Sequence, residues 1–316
     1  MVARTFVAAT LLWVAANTLA DEVSWGFFAD PIIPADNALT ADKIALGKRL
    51  FSETALSATD TYSCASCHQP DRHFTDGLPH AVGATGEHHT RNTPTLYNVA
   101  FNASYGWEDL GLTTLEAQHA VPLFNTTPVE MGYDESRLEQ LALDETYRED
   151  FASAFGNSDG DSGANPELFS TSNVIKALAS YVRTITPPLA AFDAYLFDDD
   201  KTALTEGAVA GLVLFFSDRL GCAQCHATLN FSGPINHAVQ TAPPVFHVTA
   251  VGGTNQAFRA PTLRMIKHTA PYMHDGSLTT LAQVVQHYQQ IRVERVPEFS
   301  LTDKEARQLI AFLESL

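Results

Sequence analysis

The sequence predicts a mostly α-helical chain built as two tandem units with long loops, and three observations carry that prediction. Cys64-Ala65-Ser66-Cys67-His68 recurs far downstream as Cys222-Ala223-Gln224-Cys225-His226. Each motif follows a helical pattern ending in Gly-x-x-Leu-Phe (Gly47 to Phe51, Gly211 to Phe215), and each half later carries Pro-Thr-Leu at 94–96 and 261–263, so the chain repeats internally. Apolar residues elsewhere recur at helical spacing, and no run shows the sustained alternation of a strand ladder.

C-x-x-C-H is the attachment signature of a c-type haem. Two thiols three residues apart add across the haem vinyl groups, and the next imidazole reaches the iron from the proximal side. The iron is then open to a second axial ligand or a substrate. The alternatives are an all-thiolate zinc site or a thioredoxin-like pair. Against them stand the His after each pair, the 154 residues between Cys67 and Cys222, and the absence of a βαβ pattern. The expected fold is therefore two tandem cytochrome c-like domains with long haem-covering loops, 21–200 around the first haem and 201–316 around the second.

A chain of 316 residues suits two domains at about 150 residues each. Residues 1–20 read as a signal peptide, with Arg4 as the positive end, an apolar stretch over 6–16, and Thr18-Leu19-Ala20 before a cleavage site at Asp21. An uncleaved anchor is the alternative, but the apolar run is shorter than the ~20 residues of a spanning helix. A periplasmic address also suits haem attachment outside the cytoplasm. All four Cys lie in the two motifs, which leaves none for a disulfide. Losing Arg4 with the leader leaves 18 basic against 36 acidic residues, a formal charge of −18. Such a surface argues against nucleic acid and anionic membranes, and for basic or neutral partners.

In chain order, a Pro-containing lead (Pro31, Pro34) gives way to a helix over 40–52, echoed at 205–217. Residues 71–105, rich in Gly and His, read as a long ordered loop over the first haem. Helices return at 115–120, 135–143 and 146–155, and 156–165 is a turn-rich surface segment. Ser172 is placed as the cap of a helix whose Val174, Ile175, Leu178, Tyr181 and Val182 share a face and which stops at Pro187-Pro188. The run Asp198-Asp199-Asp200 and the restart of the repeat put a boundary near residue 200. In the last helix, Thr302 and Glu305 form a capping box ahead of the stripe Leu309, Phe312, Leu313 and Leu316.

Further motifs run through nearly all of the chain: Phe74-Thr75-Asp76-Gly77, Arg91-Asn92-Thr93-Pro94-Thr95-Leu96, Leu115-Glu116-Ala117-Gln118, Pro128-Val129-Glu130-Met131-Gly132, Phe258-Arg259-Ala260-Pro261-Thr262-Leu263 and Ala270-Pro271-Tyr272-Met273-His274-Asp275-Gly276. With them the chain resembles the bacterial di-haem cytochrome c peroxidase/MauG superfamily. Its details look more like the MauG and methanobactin-associated branch than like the peroxidases. Where peroxidases carry a Met ligand of the second haem, fourteen residues after His274, this chain has Tyr288. On residues alone Tyr288 reads as a core aromatic, since Leu281, Val284, Val285 and Tyr288 share one helical face. The resemblance implies instead an axial phenolate, which favours ferric and more oxidised iron.

The resemblance also implies that the first haem is five-coordinate and open to peroxide, since Ala84 follows Gly83 where many peroxidases place a distal His. His80, His88 and His89 read as solvated loop residues, with copper or iron ligation as the alternative. Glu130 matches the carboxylate that moves a proton between the two oxygens of peroxide, with a surface Glu as the alternative. Gln118 and Pro122 match other positions near the substrate. Trp107 matches an electron-transfer stepping stone between the haems, though a plain core Trp is the bland reading. The loop after it departs from the family, with Glu108-Asp109-Leu110 lacking an Arg. Asn92, Thr269 and Pro271 match a water-rich calcium site between the haems, and Arg259 a contact to a haem propionate.

The function so implied is a periplasmic di-haem enzyme that reacts with hydrogen peroxide at the His68 haem, shares the oxidation with the His226/Tyr288 haem, and oxidises a partner protein. The methanobactin-associated resemblance suggests a partner tryptophan converted to kynurenine. One alternative is a peroxidase drawing electrons from a small cytochrome or copper protein. The other is a non-enzymatic carrier with both irons six-coordinate.

Overall fold

The computed structural model describes residues 28–108, 111–156, 165–293 and 296–316. The expected leader and most of the 156–165 segment lie outside the described residues. Within them, helices run as α1 (Ala41–Phe51), α2 (Cys64–Cys67), α3 (Leu115–Phe124), α4 (Arg137–Leu141), α5 (Glu145–Phe155) and α6 (Thr171–Arg183). After these come α7 (Ala191–Phe197), α8 (Glu206–Phe215), α9 (Leu281–Gln290) and α10 (Asp303–Leu313), with a two-stranded antiparallel ribbon of β1 (Phe246–Val248) and β2 (Ala257–Arg259). No helix among the described residues is long and apolar enough to cross a membrane.

The repeated Gly-x-x-Leu-Phe has a packing reason. Thr40 caps α1, accepting from Lys43 N at 3.3 Å, and the helix buries Leu46, Gly47, Leu50 and Phe51. α1 crosses α6 so closely that a Cβ on Gly47 would sit 1.9 Å from the Ala177 carbonyl oxygen. α8 crosses α10 in the same way, with a Cβ on Gly211 falling 1.9 Å from the Gln308 carbonyl oxygen. Only glycine permits backbone to meet backbone at these two points. The Leu and Phe that follow then fill the two cores.

One core gathers Leu46, Leu50, Leu123, Phe151, Val174 and Leu178 from α1, α3, α5 and α6. The other is built on Phe192, Phe215, Phe231 and Phe312, whose ring centroids lie 5.2–6.0 Å apart, with Leu220 and Leu309. Each carries an ion pair in which one guanidinium nitrogen reaches both carboxylate oxygens. Arg183 Nη2 donates to both Glu116 carboxylate oxygens at 2.9 and 3.1 Å, tying α6 to α3. Arg264 Nη1 donates to both oxygens of Asp193 at 2.8 Å, with each side chain 3% exposed. Burial opposes ionisation of Glu116, but Arg183 and an Asn37 amide outweigh it and hold the carboxyl below its usual range.

The structure differs from the sequence expectations at five elements. Ser170, not Ser172, caps α6, accepting from Asn173 N at 3.3 Å. α3 continues past Pro122 to Phe124, and α4 is shorter than its pattern. α7, too short to show a period, was not anticipated. The ribbon, three residues a side in register Phe246↔Arg259, is too short to show alternation.

Candidate active site

Both C-x-x-C-H motifs fold as one tight turn followed by a fixed imidazole. In the first, Ser63 N donates to Ser66 Oγ at 3.0 Å and His68 N to Cys64 O at 2.9 Å. In the second, Gly221 enters with φ +66° and His226 N donates to Cys222 O at 3.0 Å. His68 Nδ1 lies 3.1 Å from Phe74 O and His226 Nδ1 lies 2.9 Å from Phe231 O. A carbonyl can only accept, so each Nδ1 carries the proton and each Nε2 keeps the lone pair that a metal needs. The two acceptors sit on left-handed backbone, Phe74 at φ 60° and Phe231 at φ 49°, which turns their carbonyls inward.

Burial pushes the Cys64 and Cys67 thiols up to about 12 and those of Cys222 and Cys225 up to about 11, so unmodified they stay protonated. Among the described residues no three His, Cys, Asp or Glu gather as metal ligands. The thiols are placed for covalent attachment rather than for a shared thiolate metal.

A largely apolar cavity of about 1370 Å³, open mouth included, lies beside the second motif and is lined by Cys222, Cys225, His226, Phe215, Leu220 and Tyr288. The α9 stripe of Leu281, Val284, Val285 and Tyr288 faces this cavity. Its hydroxyl has no hydrogen-bond partner among the described residues. Burial first, then the nearby Cys225 and Cys222 thiols, raise its pKa well above the ordinary value. Arg259 lines the same cavity with no carboxylate partner among the described residues. Burial lowers it to about 10, which still leaves a cation at neutral pH. A buried cation without a counter-charge is costly, and an acidic ligand edge such as a propionate would relieve it.

Trp107 and Arg259 line both this cavity and a second one of about 520 Å³, which also contains Asn92, Thr269 and Pro271. The residues expected between the two haem sites are thus brought together. Trp107 Nε1 donates to Asn92 O at 2.9 Å, and Trp107 O accepts from Arg259 N at 2.8 Å. Glu108, where the family pattern differs, pairs with Arg91 Nη2 at 2.9 and 3.1 Å, and that same nitrogen reaches Gln256 Oε1 at 3.3 Å. Glu108 is therefore held by an ion pair to Arg91. Asn92 Nδ2 donates to Leu78 O at 2.8 Å, which leaves Oδ1 as the free side-chain oxygen.

Around the first motif, residues 129–133 run against the end of α3, with Met131 N donating to Pro122 O at 3.0 Å. Glu130 stands close enough to Cys64 and Cys67 to perturb both thiols electrostatically. Its Oε1 accepts from Asn125 Nδ2 at 3.3 Å. Gln118 Oε1 is buried without a partner among the described residues, an orphan acceptor that a bound donor would satisfy. A Cβ on Gly83 would fall 1.7 Å from Val129 O, so the position needs glycine for packing and not only for access.

Sequence reasoning missed four residues. Asn125 gave no signal. His274 belongs to a quoted motif yet received no role. Its ring packs 3.7 Å from that of Phe258, and both its nitrogens are buried without hydrogen-bond partners among the described residues. His247, at the wall of the large cavity, lies 3.4 Å from Cys225 Sγ. His89 is not a solvated loop residue. Its side chain is 13% exposed and its Nδ1 lies 4.0 Å from Glu130 Oε1, whereas His80 and His88 are exposed as expected.

The attachment turns, the fixed imidazoles, an arginine whose Nε meets only the Gly106 carbonyl and which has no carboxylate among the described residues, and the cavity fit two covalent haems. Comparison with known proteins agrees. The profile of a family described as di-haem cytochrome c peroxidase matches residues 41–201. The methylamine utilization protein MauG of Methylophilus methylotrophus is 33% identical over 299 residues, covering 90% of this chain and 84% of that protein. Cytochrome-c peroxidase IdrP1 of Denitromonas iodatirespirans is 30% identical over 332 residues, covering 90% and 84%. Among solved structures, a MauG-like protein associated with microbial copper homeostasis superposes with a TM-score of 0.83 at 30% identity, covering 93% of this chain and 95% of that one.

Proposed function

The chain belongs to the di-haem cytochrome c peroxidase family that includes MauG, and from that premise we propose an exported, periplasmic oxidoreductase that uses hydrogen peroxide and two cooperating haem sites to oxidise a partner protein. We assign residues 21–200 to the peroxide-reactive haem and 201–316 to the second. When bound, the haems supply a peroxide-reactive iron and a second redox centre. Membership of an oxidoreductase family sets aside the passive-carrier reading.

The chain's own residues divide the work. Cys64 and Cys67, and Cys222 and Cys225, anchor the two groups, while His68 and His226 present Nε2 to them. Arg259 meets a propionate. Glu130 takes a proton from the near oxygen of hydrogen peroxide and returns it to the departing one, so water leaves rather than hydroxide. Gln118 and Pro122 shape the pocket in which this happens. Trp107 is the conducting group between the two sites. Asn92 Oδ1 and the backbone carbonyls of Thr269 and Pro271 suit a water-rich Ca²⁺ site.

The single observation that carries this reading is Tyr288, which faces the His226 cavity where a hydroxyl without a protein partner can bind iron as phenolate. An anionic oxygen ligand disfavours the ferrous state, and so favours storing oxidising power over accepting electrons from a small cytochrome. The methanobactin-associated resemblance suggests tryptophan-to-kynurenine conversion on the partner. A peroxidase fed by a cytochrome or copper protein is the second reading, favoured by the relative named a peroxidase. The test is steady-state peroxide consumption by the haem-loaded protein with reduced soluble cytochrome c as sole reductant. The proposal expects about one equivalent consumed and no sustained turnover. Rapid sustained turnover would put the peroxidase reading in its place.

A further inference from the structure

Residues 81–89 form a small hairpin docked on the segment that carries Glu130. The hairpin closes through Gly83 N to Glu87 O at 2.8 Å and His89 N to Ala81 O at 2.8 Å, with a bridge between Val82 and His88. It is held to its neighbour by Ala84 N to Glu130 O at 2.7 Å, by Val129 N to Glu87 Oε2 at 2.9 Å, and by the close seat of Gly83 on Val129. Residues two apart on such a ribbon share a face, so Glu87 and His89 both lie toward the 129–130 segment while His88 points to solvent.

The result is that Glu130 Oε1 sits between two groups, the Asn125 amide at 3.3 Å and His89 Nδ1 at 4.0 Å. The second distance is beyond a direct hydrogen bond but within ion-pair range, or one bridging water. Glu130 Oε2 has no such partner among the described residues. The other ionisable groups nearby are Glu87, which is engaged by Val129 N, and Cys64 and Cys67, which cease to titrate once alkylated by haem. Arg91, further along the chain, is turned to Glu108.

We propose that His89 is a positioning residue for Glu130, holding Oε1 with Asn125 and stabilising the ionised carboxylate, so that Oε2 is left to exchange protons with peroxide. This rests on the assignment of Glu130 made above. A cation at this range lowers the pH at which a neighbouring carboxylate takes up its proton, and partial exposure weakens the effect.

The experiment compares haem-loaded wild type, His89→Gln, His88→Gln and Glu130→Gln, each first checked for two covalent haems by intact mass. Stopped-flow rates with peroxide, and separately the binding rate of cyanide, which must lose a proton as it binds, are followed from pH 4.5 to 8.5. The acid limb of both profiles should move to higher pH in His89→Gln, with the peroxide rate falling about tenfold and His88→Gln like wild type. An unmoved acid limb in His89→Gln, with Glu130→Gln slowed a hundredfold, would overturn the role of His89 alone. An unchanged Glu130→Gln would instead overturn the assignment of Glu130.

Discussion

Replacing Gly211 by Ala should destabilise the protein although it adds a better helix former. In a free helix the change is worth about 1 kcal/mol in favour of Ala. At the α8–α10 crossing, however, the new Cβ would lie 1.9 Å from Gln308 O, 2.6 Å from Gln308 C and 2.8 Å from Phe312 Cβ. The two backbone atoms cannot rotate away, so the helices must part by about 1.5 Å to reach ordinary contact. Phe215, Leu309, Phe312 and Leu313 are buried there. Each is worth about 2 kcal/mol of burial, and losing a quarter to a half of that contact costs about 2–4 kcal/mol in total. The net loss is about 1–3 kcal/mol, or a Tm lower by roughly 3–10 °C. Gly207 lies in the same helix with nothing nearer than 3.7 Å to its added Cβ, so Gly207→Ala should be neutral or slightly stabilising. Thermal unfolding by circular dichroism on the haem-loaded variants measures both. If Gly211→Ala matches Gly207→Ala, the close crossing is not what the glycine provides.

Other expectations follow from the same geometry. Intact mass and a haem-stained denaturing gel should show two covalent haems per chain, one lost when Cys222 and Cys225 are both changed to Ala. Asp193→Asn should cost about 3–5 kcal/mol in urea unfolding, because it leaves Arg264 charged and buried, whereas a paired replacement by apolar residues should cost much less. His119 is buried, chiefly desolvated, and depressed to about 4, with Nδ1 2.7 Å from Leu115 O. It stays neutral in the native protein while the unfolded chain protonates near 6.5. Its contribution is therefore intact above about pH 6.5 and lost as pH falls toward 4, about 2 kcal/mol by pH 5. The loss of stability between pH 7 and 5 should be correspondingly smaller in His119→Leu.

Much of this was legible in the sequence because it is local. The two C-x-x-C-H turns, the paired glycine helices and the Thr302/Glu305 capping box each lie within a few residues, and the α9 stripe that faces the large cavity shows at helical spacing. What was hidden depends on distant segments meeting. Nothing around Gly47 says that Ala177 O will be its neighbour. The contacts of Arg91 with Glu108 and with Gln256, beside Trp107, join residues 17 and 165 positions apart. His89 read as solvent-exposed because its neighbours are polar, yet the hairpin turns its face onto Glu130. The β1–β2 ribbon and the cap at Ser170 were missed for a simpler reason, since three-residue strands show no period and Ser170-Thr171-Ser172 offers adjacent hydroxyls.

The most direct test of the central claim is a redox titration of the two haems in wild type and Tyr288→Met, followed by Mössbauer spectra after one equivalent of peroxide. A neutral thioether favours ferrous iron over a phenolate, so the second haem of the variant should titrate at a distinctly higher potential. Its peroxide-treated spectrum should also lose the signature of two irons each oxidised by one electron. Identical potentials and spectra in the two proteins would make Tyr288 no more than a cavity wall, and the peroxidase reading would stand in place of protein oxidation.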